Sequence, residues 1–267
     1  MKNYIAITVK SKKQTHDLDY GRAFLSSFIK TDVCLTPEYL DTMEDKPISR
    51  RFVDMEHALE KWSTYSSVNM FGKDRQLHDT AKWLRKSVPI YSCYILNHTK
   101  RNMYNDIVPS DFSFKAKWCA DIDWFKLFYA LCSVADAQVG MMHHFTALEI
   151  KNPNGDFEML GIYPAISPKF PDMSWAMMFG DDFIHAIDVE KLTALGFPVE
   201  AVGSGYLVRV TNSLLDVSQR FDYFCERREL LRANLPRDIF TDPDEAEANR
   251  AEIERLIKER DQKAAAT

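Results

Sequence analysis

Asp111-Phe112-Ser113-Phe114-Lys115-Ala116-Lys117-Trp118, the run Asp121 to Ala135 after it, and Gln138 to Phe145 after that together decide the fold. In the first part, Phe112, Phe114, Ala116 and Trp118 alternate with Ser113, Lys115 and Lys117. A period of two means a strand with one buried face. The second part contains Trp124, Leu127, Phe128, Leu131 and Cys132 and is apolar on most sides, so it reads as a helix at the centre of the core. The third part reads as a strand. The passage is thus strand, central helix, strand.

The same tests extend outward. Tyr4 to Val9 is rich in β-branched residues and opens the chain as a strand. Asp17 to Ile29 carries Leu18, Phe24, Leu25, Phe28 and Ile29 at helical spacing. Thr36-Pro37-Glu38 has the chemistry of a helix start, and Asp54 to Tyr65 that of an amphipathic helix. Phe71 to Val88 is ambiguous; Leu77, Ala81, Trp83 and Leu84 fit a short helix. Ile90 to Leu96 favours a strand.

Beyond the central passage, Lys151 to Asp156 is turn chemistry and Ile166 to Met173 a loop with two prolines. Trp175 to Phe179 is a short strand ended by Gly180, and Asp188 to Leu195 a short helix closed by Gly196. Val199 to Val202 and Tyr206 to Thr211 flank Gly203-Ser204-Gly205, and Ser218 to Leu231 is a helix. Helices and strands mix without regular βαβα alternation. The expected class is α+β: a mixed, largely antiparallel sheet packed with helices, plus a C-terminal helical tail. The expected division is one domain over residues 1–240 and a charged helical tail over 241–267.

Composition bounds the function. The chain has 267 residues, 46% hydrophobic and 27% charged, which is the balance of a soluble globular protein. The net charge is −5, so no whole-protein basic field exists to hold a polyanion, and nucleic acid is not an expected direct partner. The most apolar stretch, Trp124 to Ala135, contains Lys126 and falls short of the roughly 20 residues that cross a bilayer, so no membrane association is expected. Five scattered cysteines without a CxxC pair indicate reduced thiols and a cytoplasmic protein.

Candidate chemistry is sparse. Gly203-Ser204-Gly205 suggests a phosphate loop, but a strand follows it where a helix N-terminus is required; a hairpin with glycine at positive φ explains it better. Asp121 and Asp123 match a DxD metal pattern, yet carboxylates also favour a helix start. Asp181 and Asp182 lack a third ligand and read as a solvated loop. His143 and His144 are adjacent on a strand, so they point to opposite faces and cannot share a metal. No cofactor motif is present, and no cofactor or metal is expected.

One ordered stretch carries more. Ser174-Trp175-Ala176-Met177-Met178-Phe179-Gly180-Asp181-Asp182-Phe183 is followed by Val189 to Leu192, by Glu200 to Thr211 and by Leu214-Leu215-Asp216. This order, together with the helix bearing Trp124, Leu127 and Phe128, resembles the immunity protein 52 family of bacterial polymorphic-toxin systems. The resemblance covers roughly residues 85–220, and the order of short motifs carries it. It implies a protein that binds a cognate type VI secretion toxin and prevents self-killing. It also implies that the toxin is a nuclease of restriction-endonuclease fold, occluded in the cytoplasm. A nuclease is basic around its cleft, so the expected partner surface is basic. The expected toxin-binding residues are Asp156, Glu158, Asp181 and Asp182, with Asp242 to Glu247 second. Trp175, Phe179, Gly180, Gly203 and Gly205 are expected to maintain the fold. The rival expectation is a metal-dependent hydrolase using Asp121, Asp123, Asp181 and Asp182. A phage- or defence-system accessory binding protein is the third.

Overall fold

A computed structural model describes residues 3–41, 50–62, 65–70, 73–78, 81–96, 100–101, 107–150, 169–170 and 172–240. The first half of the chain runs β1 (Tyr4–Ser11), α1 (Leu18–Thr31), β2 (Tyr39–Asp41), β3 (Arg50–Arg51), α2 (Met55–Trp62), β4 (Tyr65–Met70), β5 (Lys73–His78), β6 (Ala81–Arg85) and β7 (Tyr91–Leu96). Then come β8 (Lys100–Arg101), β9 (Ile107–Val108), β10 (Ser110–Lys117), α3 (Trp124–Ala135), β11 (Val139–Phe145) and α4 (Ala147–Ile150). The described C-terminal part holds β12 (Ala176–Phe179), α5 (Val189–Ala194), β13 (Val199–Val202), β14 (Gly205–Arg209), α6 (Asp216–Gln219) and α7 (Phe221–Ala233).

Ten strands form one sheet in the order β13-β14-β12-β11-β1-β10-β7-β6-β2-β3, and every neighbouring pair is antiparallel. β1 is central, pairing Ile7 with Phe114 on one side and with Met142 on the other. The α+β class with a largely antiparallel sheet is therefore the observed one.

The period of two fixes which face each side chain takes. On β1, Ile5, Ile7 and Val9 point to the same face as Phe112, Phe114 and Ala116 of β10, and all six are buried. Helices α1 and α3 cover that face. Phe24 and Phe28 of α1 meet Phe112 edge-on, and Phe114 lies 6.0 Å from Trp124 of α3. Trp62 of α2 and Trp83 of β6 join this cluster, with ring centroids 5.8 Å apart. α1 begins at Asp17, whose carboxylate accepts from the Asp19 and Tyr20 amides. α3 begins at Asp123, which accepts from the Lys126 amide, and ends at Asp136 in the left-handed region.

The opposite face is covered only in part. Around β11 and β12, Phe224 of α7 packs on His143, and Phe170 packs on Phe179. Phe170 also forms a parallel bridge with Phe240. Further along the same face, the outward residues of β10 and β7 include Ser92, Lys115 and Lys117, all exposed.

Three sequence expectations need correction. Thr36-Pro37-Glu38 does not start a helix. Thr36 closes a 3₁₀ turn by donating to the Val33 carbonyl, and the Glu38 amide joins the Leu84 carbonyl at the sheet edge. The Glu38 carboxylate accepts from the Lys86 and Ser87 amides, so the acid caps a turn of the neighbouring strand. The helix weighed for Phe71 to Val88 is instead strand β5 followed by β6, because Trp83 packs among Phe24, Phe28 and Phe112 from a sheet position. Ser218 to Leu231 is two helices, broken at Arg220 (φ −136°). The turn expected at Lys151 to Asp156, most of the loop before Met173, and the tail over 241–267 lie outside the described residues.

Candidate functional site

The motif that carried the family resemblance folds into one corner of the sheet. Trp175 leads into β12, where Ala176 to Phe179 are fully buried and pair with β11 on one side and β14 on the other. The Trp175 indole donates to Thr211 Oγ1 at 2.9 Å and stands edge-on to Phe125 of α3. Phe179 leads through Gly180 to a 3₁₀ turn, Asp181–Ala186.

Two glycines at this corner answer to different constraints. Gly203 turns the β13–β14 hairpin with φ +57°, a left-handed conformation that glycine adopts without steric cost. Gly205 has ordinary φ, but a Cβ there would overlap the Phe179 carbonyl oxygen and lie 2.8 Å from Gly180 Cα. Its role is close approach of backbones, as is that of Gly180, where a Cβ would come within 2.5 Å of the Ala137 oxygen and Gln138 Cα. Trp175, Phe179, Gly180, Gly203 and Gly205 are thus brought together as structural neighbours around β12 and β14. The strand after Gly205 agrees with the hairpin reading of the glycines.

Asp181 and Asp182 sit on the same corner, in the first turn of the 3₁₀ helix. Asp182 is ion-paired with Lys12, which follows β1. Asp136 comes near as well, 3.4 Å from Ser204 Oγ. The corner is therefore mixed in charge, with an acid engaged by a lysine. Asp156, Glu158 and Asp242 to Glu247 lie outside the described residues.

The four acids of the hydrolase expectation do not converge. Asp123 is committed to capping α3. Among the described residues no group of three or more His, Cys, Asp or Glu is placed to hold a metal ion. No helix among them is long and apolar enough to cross a membrane. All five cysteines are free thiols.

The sequence reading missed a buried polar cluster. His143, Glu149 and Arg228 are 1%, 2% and 6% exposed. Arg228 Nη1 donates to Glu149 Oε1 at 2.5 Å, and His143 Nε2 lies 3.6 Å from the same oxygen. The Trp175 amide donates to His143 Nδ1 at 3.1 Å, so the imidazole proton sits on Nε2, facing Glu149. Burial, with the nearby Arg228 charge second, holds the His143 pKa well below its usual value, so the ring is neutral. Cys225 Sγ lies 3.7 Å from Arg228 Nη2, and burial raises its pKa, which keeps it a thiol rather than a nucleophilic thiolate. The cluster clasps α4 and α7 to β11 and, being sealed, offers no group to a substrate. No short-range spacing announces it: 79 residues separate Glu149 from Arg228.

His144, on the other face, stacks on Trp118 with centroids 4.0 Å apart, and burial lowers its pKa to about 4. The two histidines do point to opposite sides of the sheet.

No family model matches the chain, and no curated protein matches it. Among solved structures, the chain is similar in fold to one described as a Pseudomonas aeruginosa T6SS protein, with a TM-score of 0.51 and 14% identity. The match covers 78% of this chain and 65% of that one, so this chain spans somewhat less than two thirds of the other's length. The immunity protein 52 assignment goes beyond what this likeness carries.

Proposed function

We propose that this chain is an immunity-type binding protein that pairs with a type VI secretion effector and neutralises it. The observation that carries the reading is the fold likeness to a T6SS protein over 78% of the chain. The element order supports it: the strand, turn, helix and GxG hairpin on which the family resemblance rested occur in that order as β12, α5 and β13–β14. The polar groups of the sealed His143 cluster are used for packing, as befits a protein that works through its surface. In this reading the chain acts in the cytoplasm and occludes a nuclease effector, and the corner carrying Asp181 and Asp182 contributes to the contact.

The test is co-expression with type VI secretion toxins, beginning with any that is encoded beside this chain's gene. Protection of the cells, together with a complex on gel filtration, is the expected result. Lack of both ends the proposal. A nuclease assay on the isolated toxin, with and without this chain, tests the finer claim that nucleic-acid cleavage is what is blocked.

A further inference from the structure

The most exposed large apolar side chains of this protein are not scattered. Among the described residues Val33, Val53 and Val88 are 73%, 71% and 66% exposed, and the next, Leu18 and Leu148, are 49%. The three valines come from loops far apart in sequence: the 3₁₀ turn after α1, the link from β3 to α2, and the turn between β6 and β7. Hydrogen bonds at Thr36 and Glu38 tie these loops together. Thr36 donates to the Val33 carbonyl, and Arg85 Nη1 donates to the Thr36 carbonyl at 3.0 Å. The Phe52 amide, beside Val53, donates to the Glu38 carbonyl at 2.9 Å. The Ser87 amide, beside Val88, donates to the Glu38 carboxylate at 3.2 Å. Consecutive Cα atoms are about 3.8 Å apart, so valines this close to one hub share one stretch of surface.

The loops are held from beneath. Leu35 and Pro37 are buried, and the Tyr91 hydroxyl donates to the Leu35 carbonyl at 2.7 Å. Arg85 and Glu38 pair at 3.5 Å, both half-buried. Single exposed apolar residues need no explanation, but a patch on preformed loops marks an interaction surface. Register places it: Arg85 stands opposite Tyr91, Tyr91 opposite Ala116, and Ala116 opposite Ile5. The patch thus lies where β1 begins, whereas Asp182 meets Lys12 where β1 ends. The strand between them is roughly 23 Å long.

The flanking charges select the occupant. Asp32 and Asp54 adjoin Val33 and Val53, and each carboxylate accepts from a backbone amide, of Cys34 and of His57. Arg51 and Lys86 flank the valines with the opposite sign; both are exposed, and Lys86 lies over the Tyr39 ring at 4.6 Å. An apolar centre flanked by both signs is complementary to itself, because a twofold axis brings the acids of one copy to the bases of the other. A basic nuclease surface would meet as many like charges as opposite ones here.

We infer that this end of the sheet is a self-association surface, on which two copies of the chain pack Val33, Val53 and Val88 about a twofold axis. The inference goes beyond the proposed function and does not rest on it. It leaves the corner of Asp181 and Asp182 outside the contact in both copies. The loops reach from β3 to β7, three strand spacings in the sheet order. That is about 14 Å, the scale of the apolar centre of an interface that buries about 800 Å² per partner.

Sedimentation velocity on the full chain, over a hundredfold range of concentration, tests it. The expected result is a reversible dimer whose dissociation constant rises at least tenfold in the double variant Val33→Glu, Val53→Glu. The control Leu18→Glu, Leu230→Glu adds the same charge at exposed positions of α1 and α7 and is expected to leave the dimer intact. Circular dichroism verifies that the variants are folded, and Val88→Glu, on the third loop, replaces the double variant if that one is not. An unaltered chain that stays monomeric overturns the inference. So does a dimer undiminished in the valine variant or equally weakened in the control. Co-expression with type VI secretion toxins separates the two claims. A monomeric unaltered chain whose protection is lost in the valine variant assigns the patch to the effector and overturns self-association. Failure of the unaltered chain to protect against any toxin ends the proposed function, while sedimentation still decides the patch.

Discussion

Arg228 donates from Nη1 to Glu149 Oε1 at 2.5 Å in a site where neither side chain is more than 8% exposed. Two charges taken out of water gain little over an apolar pair of the same volume, but either one left alone is costly. Glu149→Ala is therefore expected to destabilise the fold by about 3–5 kcal/mol. The double variant Glu149→Leu, Arg228→Met is expected to recover much of that loss. Urea unfolding of the three proteins measures it, and a double variant no better than the single one contradicts the clasp.

The hairpin glycines are expected to respond unequally. Gly205→Ala forces the Phe179 carbonyl and the β14 backbone apart, so soluble folded protein should be lost or its melting temperature sharply lowered. Gly203→Ala meets a positive φ and the Asp136 carboxylate at 2.9 Å, with a cost of about 1 kcal/mol or somewhat more. Gly203→Asn, which tolerates the left-handed region, should be milder. Thermal melts rank the three; wild-type stability in both alanine variants would refute the hairpin.

Acid should weaken the fold through its histidines. The folded-state pKa of His143 lies well below the usual 6.5, and that of His144 is about 4. Below pH 6.5 the unfolded chain therefore binds protons that the folded chain refuses, and stability falls as pH drops toward 4. His143→Gln, His144→Gln should flatten this part of the pH–stability curve even if it lowers the plateau. An unchanged slope in the variant assigns the acid sensitivity elsewhere.

Asp111 should act with the opposite sign. Burial lifts its folded pKa to about 6, above its unfolded value, so its ionisation costs stability above pH 6 and the cost disappears on acidification. Asp111→Asn is expected to stabilise the protein at pH 7.5 by about 1–2 kcal/mol and to have little effect near pH 4. Denaturation midpoints at the two pH values read this directly.

Local pattern reached far into this fold. The alternation from Phe112 to Trp118 became β10 with its rings inward and its lysines outward, and Asp17 and Asp123 cap the helices they precede. In each case the determinant lies within one turn or one strand. Thr36-Pro37-Glu38 failed for the converse reason: the same three residues suit a helix start or a sheet edge, and the Leu84 carbonyl, 46 positions from Glu38, selects the edge.

The candidate site divides along the same line. The β12 strand and the β13–β14 hairpin were legible because each forms from contiguous residues. The pairing of Asp182 with Lys12 was not, since 170 positions separate them and only the sheet order brings the end of β1 beside the turn after β12. The sequence alone determined the α+β class and the central helix, because periodicity is a property of short segments, whereas Gly180 and Gly205 are required by backbone that only the folded sheet brings close. Tertiary structure alone decided that His143, Glu149 and Arg228 share one dry site and that Asp182 meets Lys12. Both depend on strand order and register, which set which distant residues become neighbours.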